Sequence, residues 1–126
     1  MAFTGAAVQK VVSSKCVRIT GLSLAGGASG TIGLHATTVA QDVTLPASFA
    51  PHAYENAERH QVDVADAINV TVNRAASTAN PTPVAIVKAG GTGTHVTGKN
   101  FSITLTNGDA MNATPALEIF VEYLGD

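Results

Sequence analysis

The sequence predicts an all-β fold: an antiparallel β-sandwich, jelly roll or Greek key, of about eight short strands. Three observations predict it. Apolar and polar residues alternate with a period of two in one segment after another. Gly, Pro, Asn and Asp punctuate those segments. No stretch carries the 3.6-residue period of a long helix, and no alternating βαβ pattern is present. The alternation is clearest near the end, where Phe101, Ile103 and Leu105 interleave with Ser102, Thr104 and Thr106. Leu117, Ile119, Val121 and Tyr123 repeat the pattern, with Glu118 and Glu122 on the other face. Asn107-Gly108-Asp109 between them is a turn signal, so these two strands are expected to form a closing hairpin.

Taken in order, Ala6 to Val12 reads as a weak edge strand or an arm, and the arm-like portion is set at residues 1–12. Residues 13–126 then form a single sandwich domain. Lys15 to Leu24 is a strand: Val17 and Ile19 alternate with Arg18 and Thr20, and Leu22 and Leu24 continue the apolar face beyond Gly21. Gly26-Gly27-Ala28-Ser29-Gly30 breaks it as a turn. Thr31 to His35 resumes with Ile32 and Leu34 in phase, and Gly33 marks a weak point or bulge. Val43 and Leu45 make a brief strand ending at Pro46. Residues 36–61 otherwise read as a long connection, with one or two helical turns over Glu55 to Gln61 that are too short to stand alone. Val62 to Arg74 is one bent strand or two, with Ile68, Val70 and Val72 alternating with Asn69, Thr71 and Asn73. Val84 to Lys88 is almost wholly apolar, which predicts a central strand. Asn80-Pro81-Thr82-Pro83 and Asn112-Ala113-Thr114-Pro115 each lead into a strand, an echo that two equivalent Greek-key hairpins would produce.

The 126 residues suffice for one domain with its own core. Charged residues are 13% of the chain against 45% apolar, and the charged share is about half the usual level. Much of the surface must therefore be Ala, Thr, Ser, Gly and Asn, which suits burial in an assembly. The net charge is −2, with Lys and Arg scattered and no basic stripe, which argues against nucleic acid as a partner. No segment is long and apolar enough to span a membrane. The opening residues lack the pattern of a secretory signal, so synthesis in a cytoplasm is expected. One cysteine, Cys16, precludes an intrachain disulfide and reads as a small core residue.

The candidates for chemistry fail one by one. Gly93-Thr94-His95-Val96-Thr97-Gly98-Lys99-Asn100 has the spacing of a phosphate-binding loop up to Lys99, but Asn100 stands where Ser or Thr is needed and a strand follows instead of a helix. His35, His52, His60 and His95 lack metal-ligand spacing. Asp63 and Asp66 read as strand-end carboxylates rather than an acid–base pair. No nucleophile elbow exists. Lys15 and Arg18 could lower the pKa of Cys16, although a core position fits it better. Asn69-Val70-Thr71 matches the glycosylation triplet and reads as an exposed strand face. The expectation is a protein that is not an enzyme, with no catalytic residues, cofactor or metal.

Three runs carry a resemblance: Val17-Arg18-Ile19-Thr20-Gly21-Leu22-Ser23-Leu24-Ala25 continuing through Gly27–His35, Leu45-Pro46-Ala47-Ser48-Phe49-Ala50-Pro51 with Tyr54, and Pro115-Ala116-Leu117-Glu118-Ile119-Phe120-Val121. Together they resemble the small capsid decoration, or cement, proteins of tailed bacteriophages. The resemblance implies a structural protein on the outer capsid surface of the virion. It would stabilise the shell as a homo-oligomer, dimer or trimer, by bridging neighbouring capsomers of the major capsid protein. The alternative is a phage fibre or head-fibre module that binds a cell-surface glycan, though the chain has no Trp and two Tyr for aromatic platforms. Interface anchors are expected at Phe3, Phe49 and Tyr54, with Pro51 beside them, because they lie outside the clear core strands. The competing reading has Phe49 and Tyr54 capping the core.

Overall fold

Period-two alternation becomes two facing sheets once each strand turns its apolar side inward. The computed structural model describes residues 3–34, 42–46, 49, 68–74, 83–89 and 102–124. Nine strands lie among them: β1 (Phe3–Thr4), β2 (Val8–Ser13), β3 (Cys16–Leu24), β4 (Ser29–Leu34), β5 (Val43–Leu45), β6 (Ile68–Arg74), β7 (Val84–Ala89), β8 (Ser102–Asn107) and β9 (Leu117–Tyr123). The first sheet has the order β1-β3-β9-β6, with β2 beside β1 on the same flank of β3. The second has the order β5-β4-β8-β7. The chain is all-β and forms a β-sandwich, as the patterning predicts. The described strands do not set out the full double Greek key of a jelly roll. One pair departs from the antiparallel rule: β4 and β5 run parallel. Asp42 fastens that pair, its carboxylate accepting from Thr31 N at 3.0 Å while its own N–H donates to Thr31 O. The helical turns expected over Glu55–Gln61 lie outside the described residues.

β3 shows how the sequence controls facing. Val17 and Ile19 point inward at odd positions, and Leu22 and Leu24 at even ones. The pairing with β9 slips between Thr20 and Leu22, which places a bulge at Gly21. Gly21 has φ +88° and faces Gly5 at φ +89° across the β1/β2–β3 junction. A Cβ on Gly21 would collide with the carbonyl of Ala6, and one on Gly5 with that of Gly21. The paired glycines thus let the strand change phase and keep all four apolar residues in the core.

That core joins both sheets. Val17, Ile19, Leu24, Ile119 and Val121 from the first meet Ile32, Ile103 and Leu105 from the second, all fully buried. Each such side chain contributes on the order of 1.5–3 kcal/mol of transfer free energy. Phe3 and Phe49 belong to the same cluster, at 5% and 0% exposure. These two rings are core residues rather than surface anchors, because a side chain already buried within its own chain presents nothing to a partner. Phe3 lies against Gly30 of β4, where any Cβ would overlap the ring. Phe49 is turned inward by a turn in which its N–H donates to Pro46 O at 3.0 Å.

Two expectations about pairing are corrected. β8 and β9 are not a hairpin: β8 lies between β4 and β7, while β9 lies between β3 and β6 in the other sheet. Residues 108–116 carry the chain from one sheet to the other, so the apolar faces of β8 and β9 oppose each other through the core. The passages from β6 to β7 and from β8 to β9 both change sheets, so the repeated Asn-x-Thr-Pro marks crossovers rather than hairpins. Its first copy, at 80–83, lies outside the described residues except for Pro83. The second correction concerns β7, which ends its sheet instead of occupying the centre. An unbroken apolar run fits a central strand or an edge that meets something else, and length alone does not separate the two.

Asn107 closes this end of the sandwich. It is 1% exposed, and its Nδ2 lies within hydrogen-bonding distance of three carbonyls: Leu24 O (3.3 Å), Ala25 O (3.0 Å) and Asn112 O (2.8 Å). Its Oδ1 accepts from Asp109 N at 3.0 Å. Thr114 adds a reciprocal pair, its N–H donating to Leu24 O at 2.8 Å and its Oγ1 accepting from Leu24 N at 3.0 Å. The β3–β4 turn and the 108–116 crossover are therefore stitched together by side chains that the sequence presents as turn formers.

Candidate interaction surfaces

The outer faces of the two sheets follow directly from the registers. On the first sheet, three rows of outward positions cross β3, β9 and β6. The top row is Thr20, Glu118 and Asn73; the middle row is Arg18, Phe120 and Thr71; the lowest is Cys16, Glu122 and Asn69. Charged and polar side chains, with Cys16 at one corner, surround one central aromatic ring, which is half-buried. Arg18 reaches diagonally to Glu118, with its Nε at 2.8 Å and its second guanidinium nitrogen at 2.6 Å from Oε2. Asn73 Nδ2 donates to Glu118 Oε1 at 3.3 Å. Arg18 and Asn73 together hold the Glu118 carboxyl below its ordinary pKa, the hydrogen bond from Arg18 being the larger cause.

Cys16 sits on this face, half-buried, and not in the core. Burial, followed by the charge of Glu122, pushes its thiol above the usual range. The neighbouring Lys15 and Arg18 do not activate it. Asn69 and Thr71 are exposed here, as expected for the triplet they belong to.

The second sheet has a different outer face. Its rows read Ser29, Thr106, Ala85 and then Thr31, Thr104, Val87, ending at Gly33 and Ser102. Among the described residues this face carries no charged side chain. Ser29 Oγ and Thr106 Oγ1 lie 2.7 Å apart and satisfy each other. The face runs out onto β7, where Val87 is 61% exposed. Lys88 points inward instead, its Nζ donating to Ile68 O at 2.5 Å across the gap to β6.

Exposed apolar side chains gather on two strands. Of seven large ones among the described residues, five lie on β2 (Val8, Val11, Val12) and β7 (Ile86, Val87). Both strands are outermost in their sheets, on opposite flanks of the sandwich. β2 lies near β5, where Gln9 Nε2 donates to Thr44 O at 3.0 Å, and β7 lies near β6. Outer strands in isolated proteins are normally blunted by charge, proline or cover.

Among the described residues, two concavities accompany these surfaces. One, of about 350 Å³, opens beside the top row of the first sheet and is lined by Thr20, Gly21, Asn73, Arg74, Leu117 and Glu118. The other, of about 260 Å³, lies between the β6 and β7 edges and is lined by Val72, Arg74, Pro83, Val84 and Ile86. No group of three or more His, Cys, Asp or Glu side chains comes together among the described residues.

Of the anchors expected from sequence, Phe3 and Phe49 are in the core, and Pro51 and Tyr54 lie outside the described residues. So do the four histidines, Asp63, Asp66 and the Gly93–Asn100 loop. The exposed valines of β2 and β7 do not stand apart in the sequence from the valines of the core. The signal was there in Val8, Val11 and Val12 flanking a lone Lys10, but apolar residues in a strand read as core until the neighbours are known. Compared with known proteins, the chain matches no family model, no curated protein and no solved structure.

Proposed function

We propose that this chain is a structural protein of a bacteriophage virion. It decorates the outer capsid surface and stabilises the shell by bridging neighbouring capsomers of the major capsid protein, as a homo-oligomer. The carrying observation is the outer face of the second sheet, uncharged among the described residues and continuous with an exposed apolar edge at β7. The exposed part of this face, built of hydroxyls, alanine and valine, can be desolvated with little penalty, since none of its described side chains is charged. It also packs closely, because no long side chain must be immobilised. The exposed valines of β2 on the far flank supply a second contact, so one subunit can touch two neighbours at once. Avidity then gives tight attachment from modest contacts. The low charge of the whole chain and the resemblance of its three runs to cement proteins support the same reading.

The test is to mix the purified chain with undecorated capsids and image the particles. Ordered density on the outer surface at a fixed symmetry position, with increased resistance of the shell to heat, is the expected result. Capsids that remain bare at saturating protein overturn the reading.

A further inference from the structure

We propose that the concavity at the end of the first sheet's outer face is a binding site for a neutral saccharide, about one or two sugar rings in size. This goes beyond shell attachment, which is assigned to the outer face of the second sheet and to the β2 flank. Three strands build the site by register alone: Thr20 from β3, Glu118 from β9 and Asn73 from β6 stand side by side. The volume of about 350 Å³ falls near the lower end of the range of about 300–1,000 Å³ common to small-ligand sites.

The polar inventory selects the ligand class. Glu118 Oε2 is occupied by Arg18, and Oε1 accepts one hydrogen bond from Asn73, which leaves it able to accept another. Asn73 Oδ1 and the Thr20 hydroxyl make no hydrogen bond among the described residues. The site therefore offers several fixed acceptors, which hydroxyl donors of a sugar can satisfy. Its charge balance excludes the obvious rivals. The lining carries one guanidinium, Arg74, against one carboxylate, Glu118, so it has no net charge to favour a metal ion or an anionic ligand.

Rigidity helps too. Asn73 and Glu118 are already held in place by each other and by Arg18, so little side-chain freedom is lost on binding. Gly21, exposed at the bulge, lines the concavity with backbone alone. Phe120 stands two residues beyond Glu118 on the same face. That places its ring about 7 Å along the strand, where it can stack against a second sugar.

The experiment is a titration of the full chain, followed by amide NMR, with methyl glucoside, galactoside and mannoside, and then with lactose and cellobiose. Saturable shifts at Thr20, Gly21, Asn73 and Glu118 in the millimolar range are expected for at least one of them. Asn73→Ala and Thr20→Val should each weaken binding about tenfold, and Phe120→Ala should weaken the disaccharide more than the monosaccharide. Unperturbed spectra across the panel, or shifts confined to another face, overturn the proposal. So does the same response to calcium alone, or a preference for an acidic sugar such as sialyllactose. Capsid attachment is read separately, so failure of the saccharide site and failure of the shell reading are distinguishable: Asn73→Ala should leave attachment unchanged.

Discussion

The two outer faces of this sandwich share one core and differ in chemistry. The first sheet presents Arg18, Glu118, Glu122, Asn69 and Asn73 around Phe120, a surface fixed by an ion pair and side-chain hydrogen bonds. The second presents Ser, Thr, Ala and Val with no charge among its described residues. A wet face can select small polar ligands because its groups are pre-positioned. A bland face can be covered entirely because nothing on it resists desolvation. On the proposed reading, two sheets sharing one core divide shell attachment and saccharide binding between different surfaces.

Substitutions can break that division, and the largest effect is expected on the second face. Val87→Glu places a charge in the middle row of the proposed shell contact. Capsid attachment measured by co-sedimentation should weaken about a hundredfold, while the urea midpoint of the isolated chain stays close to the parent value. Equal attachment by the variant would move the contact to another surface.

Gly30→Ala tests the shared interior instead. The added methyl must displace the Phe3 ring, so stability should fall by about 1–3 kcal/mol in denaturant unfolding. Both faces should lose function together in proportion to the unfolded fraction. Loss on one face alone would show that the interior does not couple them.

A smaller effect is expected from Arg18→Ala. Without the guanidinium the Glu118 carboxyl should titrate closer to its ordinary value, as read by carbon NMR of the side chain. The sign is fixed by the direction of the shift. A carboxyl whose folded pKa is depressed contributes stability above its unfolded pKa, and that contribution is lost as pH falls through the folded one. The parent should therefore lose more stability than the variant on acidification. The smallest effect concerns Cys16. Its thiol, raised by burial and Glu122, should react with iodoacetamide more slowly at neutral pH than a free cysteine, and Glu122→Gln should narrow the gap.

Much of this fold is legible in the sequence because alternation reports which side of a strand is buried. β3, β5, β6, β8 and β9 can be read that way residue by residue, and so can the membership of each outer row. Alternation does not report what a strand is buried against. Hence β8 and β9, adjacent in sequence and joined by a turn signal, read as a pair although they belong to different sheets. For the same reason β7 reads as central although it is an edge. Phe3 sits near the start of the chain on a strand of two residues, too short for any period, so its place in the core could not be read. The row of Thr20, Glu118 and Asn73 depends on registers between distant segments and on the slip at Gly21. The residues were visible, but their adjacency was not.

Asn107 carries a consequence for the chemical ageing of the protein. An asparagine followed by glycine is the pairing most prone to deamidation, in which the next backbone nitrogen attacks the side-chain carbonyl carbon. Here the amide is immobilised, its nitrogen held against three carbonyls and its oxygen by Asp109 N, so it cannot turn toward Gly108. Folding thus protects the bond most at risk, and unfolding exposes it. Conversion to aspartate would place a buried charge among those carbonyls and oppose refolding. A population that has visited the unfolded state would then carry a permanent chemical record of it, readable by mass spectrometry at this one residue.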